Sequence, residues 1–228
     1  MQGSNKSMQL NVPLVRQQKD SVECGLAALA MLLGYHGIKA TQEELKKEIA
    51  LGATGTYSPQ LASYLLKKGF DVEIITMNPG LFTNKDKGKS QKGLLAHFQA
   101  LRAGADTDKK KKALDYFIAF MNEGGKVKAK IPDKKDIFKE LKNKRPALAL
   151  LTANFLSGAK ADFDFHYNVI TGIEGKYVHA NDPKWDERGG KKKHLLSDLL
   201  FGIYASAYGD LDNACLITAR KKKRSDKL

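Results

Sequence analysis

Few residues in this chain can do chemistry, and three of them fall where a nucleophile and its partners would be needed. Cys24 stands where the polar stretch Gln18–Glu23 gives way to an apolar run, Gly25–Tyr35, that has no charged side chain. A thiol at a helix N-terminus feels the positive end of the peptide dipoles, which favours the thiolate. The thiolate is the nucleophilic form. Two readings of Cys24 stand side by side here: an armed nucleophile, or a structural cysteine of the kind that is usually buried. Far downstream, His166–Gly172 (HYNVITG) and Lys176–Pro183 (KYVHANDP) are rich in β-branched and aromatic residues, with Glu174-Gly175 between them. This is a hairpin pattern. Folded about Glu174-Gly175, it brings Asp182 roughly opposite His166. The register stays open, because the turn can hold two, three or four residues. Cross-strand Cβ atoms lie about 5 Å apart, near enough for a carboxylate to orient an imidazole. A nucleophile, a base and an orienting group are then all available. Taken singly, His166 also reads as a surface histidine at a strand start, and Asp182 as a turn former in Asn181-Asp182-Pro183.

The elements that must position these residues read as an α+β plan. Cys24–His36 is the apolar helix. It is hydrophobic nearly all round and so needs a cover. Thr41 and Glu44 form a capping box for a helix over Gln42–Ala50. Ser58 as cap and Pro59 at the first position open another, which Gly69 closes. Phe70–Thr76 alternates as a strand, and Asn78-Pro79-Gly80 is a turn. Asn84–Lys92 reads as a loop. Gly93–Ala103 and Lys109–Asn122 read as helices, the second with Ala113, Leu114, Phe117, Ile118 and Met121 on one face. Val127–Ile131 is a short strand, and Asp133 caps a helix to Asn143. Ala147–Thr152 is an apolar strand, Asn154–Phe165 a connection, Ser197 a cap for Asp198–Tyr204, and Ala214–Ala219 a closing strand. No internal repeat stands out.

With these blocks in this order, the chain resembles the papain-like cysteine peptidases of the double-glycine leader-peptidase, or bacteriocin-processing, family. The family's Cys-Gly before a small apolar helix matches Cys24-Gly25 and Leu26–Tyr35. Its His-aromatic strand ending in Gly matches His166-Tyr167 through Gly172, and its Asp-Pro matches Asp182-Pro183. The Gln six residues before the cysteine, an oxyanion-hole donor in that family, corresponds to Gln18. Gln17 takes its place if the register differs by one. The resemblance covers roughly residues 12–75 and 145–217. It implies a single papain-like domain over 1–228, with N-terminal helices packed on a C-terminal antiparallel sheet and the site in the cleft between them. The mainly helical stretch at about 77–144 is then an insertion that a compact leader peptidase would not need. The implied activity is hydrolysis of a peptide or isopeptide bond through Cys24, His166 and Asp182, with a peptide or protein substrate. The same residues would serve an acyltransferase or a transglutaminase- or deamidase-like enzyme. A non-catalytic basic binding module is the more distant alternative. Many family members are fused to a transporter and an ATPase. This chain has neither a run of about 20 apolar residues nor a phosphate-binding Gly-x-x-x-x-Gly-Lys loop.

Composition narrows the classes further. The chain has 228 residues, enough for a real core, and a net charge of +14 from 39 Lys and Arg against 25 Asp and Glu. Only six of the basic residues are Arg, and bidentate base reading favours Arg, so specific nucleic-acid recognition is not expected. The clusters Lys109–Lys112, Lys191–Lys193 and Lys221–Arg224 lack interleaved aromatics. They read as solvated faces or a tail, with non-specific attraction to polyanions at low salt. Two cysteines form no disulfide framework, and Cys215, in the strand-like ACLITA, reads as structural. His36, His97, His179 and His194 show no ligand spacing with the cysteines, so neither a metal nor another cofactor is expected. His179 has odd parity with Asp182 along one strand and should face away from it. Met1–Gln9 is polar and is no signal stretch. The expected location is cytoplasmic, with secretion by a signal-less route left open.

Overall fold

The computed structural model describes residues 7–222. Its elements follow in chain order: β1 (Met8–Gln9), α1 (Cys24–Tyr35), α2 (Gln42–Glu48), α3 (Ser58–Lys67), β2 (Phe70–Thr76), α4 (Gln91–Ala103), α5 (Asp108–Asn122) and β3 (Lys126–Ala129). The second half runs α6 (Lys134–Lys142), β4 (Ala147–Thr152), α7 (Ala153–Ser157), β5 (Phe165–Glu174), β6 (Tyr177–Asp182), β7 (Gly190–Leu195), α8 (Leu196–Ala205) and β8 (Cys215–Lys221). The strands form one sheet in the order β3-β2-β8-β4-β5-β6-β7. β1 pairs with the far end of β5, through Met8↔Ile173 and Gln9↔Gly172, beyond the stretch that β4 covers.

All pairings are antiparallel except β2 with β3. A parallel pair cannot be joined by a tight turn and needs a crossover. That crossover is α4 and α5. The 77–144 stretch is therefore woven into the sheet through β3, with α4 and α5 on one face and α6 on the other.

Alternation along the strands builds two cores. One face presents Val72, Ile74, Leu148, Leu150, Val169 and Ile217 to α1, α3, α4 and α5; the other presents Ile75, Ala149, Leu151, Ile170 and Leu216 to α6 and α8. Gly25 through Leu33 of α1 are all buried, which is why this helix carries no polar face. Burying each of its leucines contributes about 1.5–3 kcal/mol.

Several local expectations are corrected. Ser58 does not cap α3: Tyr57 is the cap residue, and the Ser58 hydroxyl instead meets Tyr167 Oη at 2.7 Å and Cys215 Sγ at 3.0 Å. Ser197 lies inside α8, which begins at Leu196. The connection after β4 contains the short helix α7. The Lys191–Lys193 run lies in an edge strand, β7, where lysines discourage pairing with another chain.

Candidate active site

Cys24 is the first residue of α1, and its cap residue, Glu23, makes no side-chain capping bond. The first-turn N–H groups are thus not taken by a cap. Gly25 follows because nothing larger fits: a Cβ there would stand 2.2 Å from Thr56 Oγ1 and 3.2 Å from the Tyr167 ring. This close approach brings the start of α1 against the start of β5.

β5 carries His166. Burial alone would push the Cys24 thiol up. The positive charge and hydrogen bond of His166, with the Tyr167 and Gly25 N–H groups, outweigh it and hold the thiol below its ordinary value. His166 is likewise opposed by burial, yet is raised by the Cys24 thiolate and by Asp182. Both shifts favour a thiolate–imidazolium pair. Cys215 is the contrast. It is wholly buried beside Ser58, and burial pushes it up to about 12, which favours the neutral thiol.

His166 Nε2 lies 2.9 Å from Asp182 Oδ1. The contact is off the N–H axis, and Nε2 has no aligned hydrogen-bond partner among the described residues. Such bonds are often poorly aligned before substrate binds. Asp182 Oδ1 also accepts the Lys184 N–H at 2.8 Å, and Oδ2 accepts Asn168 Nδ2 at 3.2 Å. Burial acts against its charge, and the bonds and charge of His166 outweigh that and lower its pKa. One carboxylate thus both stabilises the turn and holds the imidazole.

The strand register explains how they meet. The hairpin turn is Gly175-Lys176, since Glu174 pairs with Tyr177. Continued without interruption, that ladder would set Asp182 across from Val169, facing away from His166. The register slips by one between Ile170↔Ala180 and Gly172↔His179. Thr171 is the extra residue, a β-bulge. Asp182 therefore falls across from Asn168, on the same face as His166 and diagonal to it. A diagonal neighbour remains within reach of a long or aromatic side chain.

The two glutamines separate. Gln18 is exposed, and its Nε2 donates to Glu43 Oε1 at 3.0 Å. Gln17 is buried. Its backbone N–H donates to Pro183 O at 2.8 Å, its Nε2 donates to Ser21 O at 2.8 Å, and its Oε1 has no partner. Asn168 and the Tyr167 N–H were not read as parts of the site from sequence, and Gln17 was read only as the alternative to Gln18. Of the first two, only Asn168 had a signal, its two-residue spacing from His166.

His179 approaches Glu174 at 3.4 Å, on the side away from Asp182. His97 bonds Leu81 O at 2.7 Å, and His36 packs edge-on against Phe70. No group of His, Cys, Asp and Glu among the described residues could hold a metal ion. No helix there is long and apolar enough to cross a membrane.

A cavity of about 210 Å³ opens beside Cys24, walled by Thr54–Tyr57, Leu150, Phe165, Tyr167 and the 209–213 loop, with Lys109 reaching in from α5. The arrangement suits attack by a thiolate on a carbonyl carbon held in this cleft.

Residues 9–214 match the profile of the Peptidase_C39-like family. No curated protein matches the chain. Among solved structures, a double-glycine-motif protease from an AMS/PCAT transporter, in complex with the leader peptide, is 16% identical with a TM-score of 0.47, covering 93% of this chain and 95% of its own. The peptidase domain of Streptococcus ComA is 14% identical with a TM-score of 0.49, covering 93% and 100%. A C39-like protein from Bacillus anthracis is 16% identical with a TM-score of 0.49, covering 96% and 100%.

Proposed function

Because the chain belongs to the Peptidase_C39-like family, we propose that it is a cysteine peptidase acting on a peptide or protein through Cys24, His166 and Asp182. The observation that carries this reading is the opposed ionisation of Cys24 and His166, with Asp182 2.9 Å behind the imidazole.

In the proposed reaction the Cys24 thiolate adds to the scissile carbonyl, forming a C–S bond as the carbonyl electrons move to oxygen. The oxyanion is held by the Cys24 N–H and a glutamine amide. We assign that amide to Gln17 rather than Gln18: Gln17 is buried beside the Asp182-Pro183 strand end and its Nε2, with one N–H on Ser21 O, has a second to give, whereas Gln18 is exposed. His166 gives its proton to the departing amine as the C–N bond breaks. Water, deprotonated by His166, then releases the acid and restores the thiolate. An amine in place of water would make the same site an acyltransferase, and product analysis with and without added amine separates the two.

The test is the rate of Cys24 alkylation by iodoacetamide against pH. An ordinary thiol here would titrate near 9.0. A lowered pKa keeps the thiolate, and hence the rate, as pH falls below that value, until the folded pKa is reached. In His166→Ala only burial and the N–H groups remain, and the inflection should move upward. A wild-type profile no different from His166→Ala would refute the reading.

A further inference from the structure

The helical stretch between β2 and β3 reaches the cleft at one charged point. We propose that Lys109 and Asp210 determine specificity: their ion pair straps α5 to the loop before β8 and limits the bulk of the chain that can reach Cys24. This rests on the reading of Cys24 as the nucleophile.

Lys109 and Asp210 both line the cavity that contains Cys24, and Lys109 Nζ lies 2.5 Å from Asp210 Oδ1. They come from elements about 100 residues apart in sequence, so the pair links two separate parts of the wall.

One end of the strap is fixed. The Asp210 carbonyl accepts Asn78 Nδ2 at 2.9 Å and the Asn213 N–H at 3.0 Å. Two residues on, buried Asp212 accepts the Ser58 N–H at 2.6 Å. The other end is free to swing, because the Lys109 side chain is 55% exposed and sits on a flexible four-carbon stem.

Lys109 also stands in the first turn of α5, at the positive end of the helix. The helix itself gains nothing from a cation there; the contact with Asp210 does. α5 does not depend on the strap for its place. Leu114, Phe117 and Phe120 are in the core, and Tyr116 packs 5.3 Å from Tyr57 on the cavity wall. Opening the pair therefore widens the cleft without dislodging the helix. An exposed pair of this kind is weak and screened by salt, which makes it a filter rather than a lock.

The experiment compares two thiol reagents on the full chain, iodoacetamide and fluorescein maleimide, with Cys24→Ala supplying the background from Cys215. The quantity read is the ratio of the bulky to the small reagent's rate at Cys24. Lys109→Ala and Asp210→Asn should each raise it by about fivefold, the shift that a pair worth about 1 kcal/mol supports. High salt should raise it in the wild type. The Lys109→Asp/Asp210→Lys double variant should return it toward the wild-type value.

An unchanged ratio in single variants whose circular dichroism matches wild type would overturn the proposal. So would a double variant that stays open. A failure of the nucleophile reading shows separately, as a wild-type iodoacetamide profile that His166→Ala leaves unmoved.

Discussion

Cys24 and Cys215 show how little the residue type decides and how much its surroundings do. Both are thiols in apolar surroundings. One faces an imidazole and two backbone N–H groups and is held low, while the other faces Ser58 in a closed pocket and is held high. Cys24, His166 and Asp182, the residues we propose as the site, could be picked out in the sequence because each stands at a junction that a motif marks: loop to apolar helix, strand start, strand end before proline. The proposed oxyanion donor was legible only to within one residue, Gln18 or Gln17. The chain makes a tight turn over Gln18–Ser21, with Asp20 in a left-handed conformation at φ 55°. That turn shifts which glutamine faces inward, and counting back from the cysteine cannot detect it. Gln17→Ala should therefore lower peptide turnover by about 10²-fold or more, the usual cost of one such donor, while sparing iodoacetamide alkylation, which develops no oxyanion. Gln18→Ala should change turnover by less than about twofold, the scale of a surface contact. Steady-state kinetics beside alkylation rates checks both.

Helices with clean caps or long apolar faces, such as α1, α2 and α6, could be located from their residues. The element that failed most plainly was β7: GKKKHL reads as a charge run, and only its place at the sheet edge makes it a strand. The bulge at Thr171 was also hidden, because Val169-Ile170-Thr171 is an unbroken β-branched run like that of any buried strand. Its neighbour Gly172 has a visible reason. A Cβ there would stand 2.6 Å from Met8 O and 2.3 Å from Gln9 Oε1, so β1 can pair with β5 only across a glycine. Gly172→Ala should destabilise the fold by about 1–3 kcal/mol, the usual cost of overpacking. In a chain of this size that lowers the melting temperature by several degrees. Thermal unfolding at neutral pH measures it, and an unchanged midpoint would contradict the packing argument.

At the scale of the molecule, the expected division into helices first and strands later is only half of the arrangement. Helices α1–α5 do gather on one face of the sheet, but α6 and α8 cover the other, and β2 enters the sheet from the first half of the chain. The 77–144 stretch was read as an insertion because a compact leader peptidase would not need it. Its β3 joins the sheet in parallel beside β2, a long-range pairing that local patterns do not encode. A chain ended after Asp212 would lack β8, on which both β2 and β4 depend for pairing. It should lose cooperative unfolding together with the lowered thiol pKa of Cys24, as followed by circular dichroism and alkylation on the same sample.

The position of β8 also bears on when the proposed site comes into being. Among the described residues it is the last strand to leave the ribosome, yet it lies between β2 and β4. Until it arrives, the β2–β3 pair and the β4–β7 meander have no strand to join them, and α1 has no complete sheet to cover it. On the proposed function, a chain made only as far as α8 would then be a harmless one, its hydrolytic power withheld until β8 has been added.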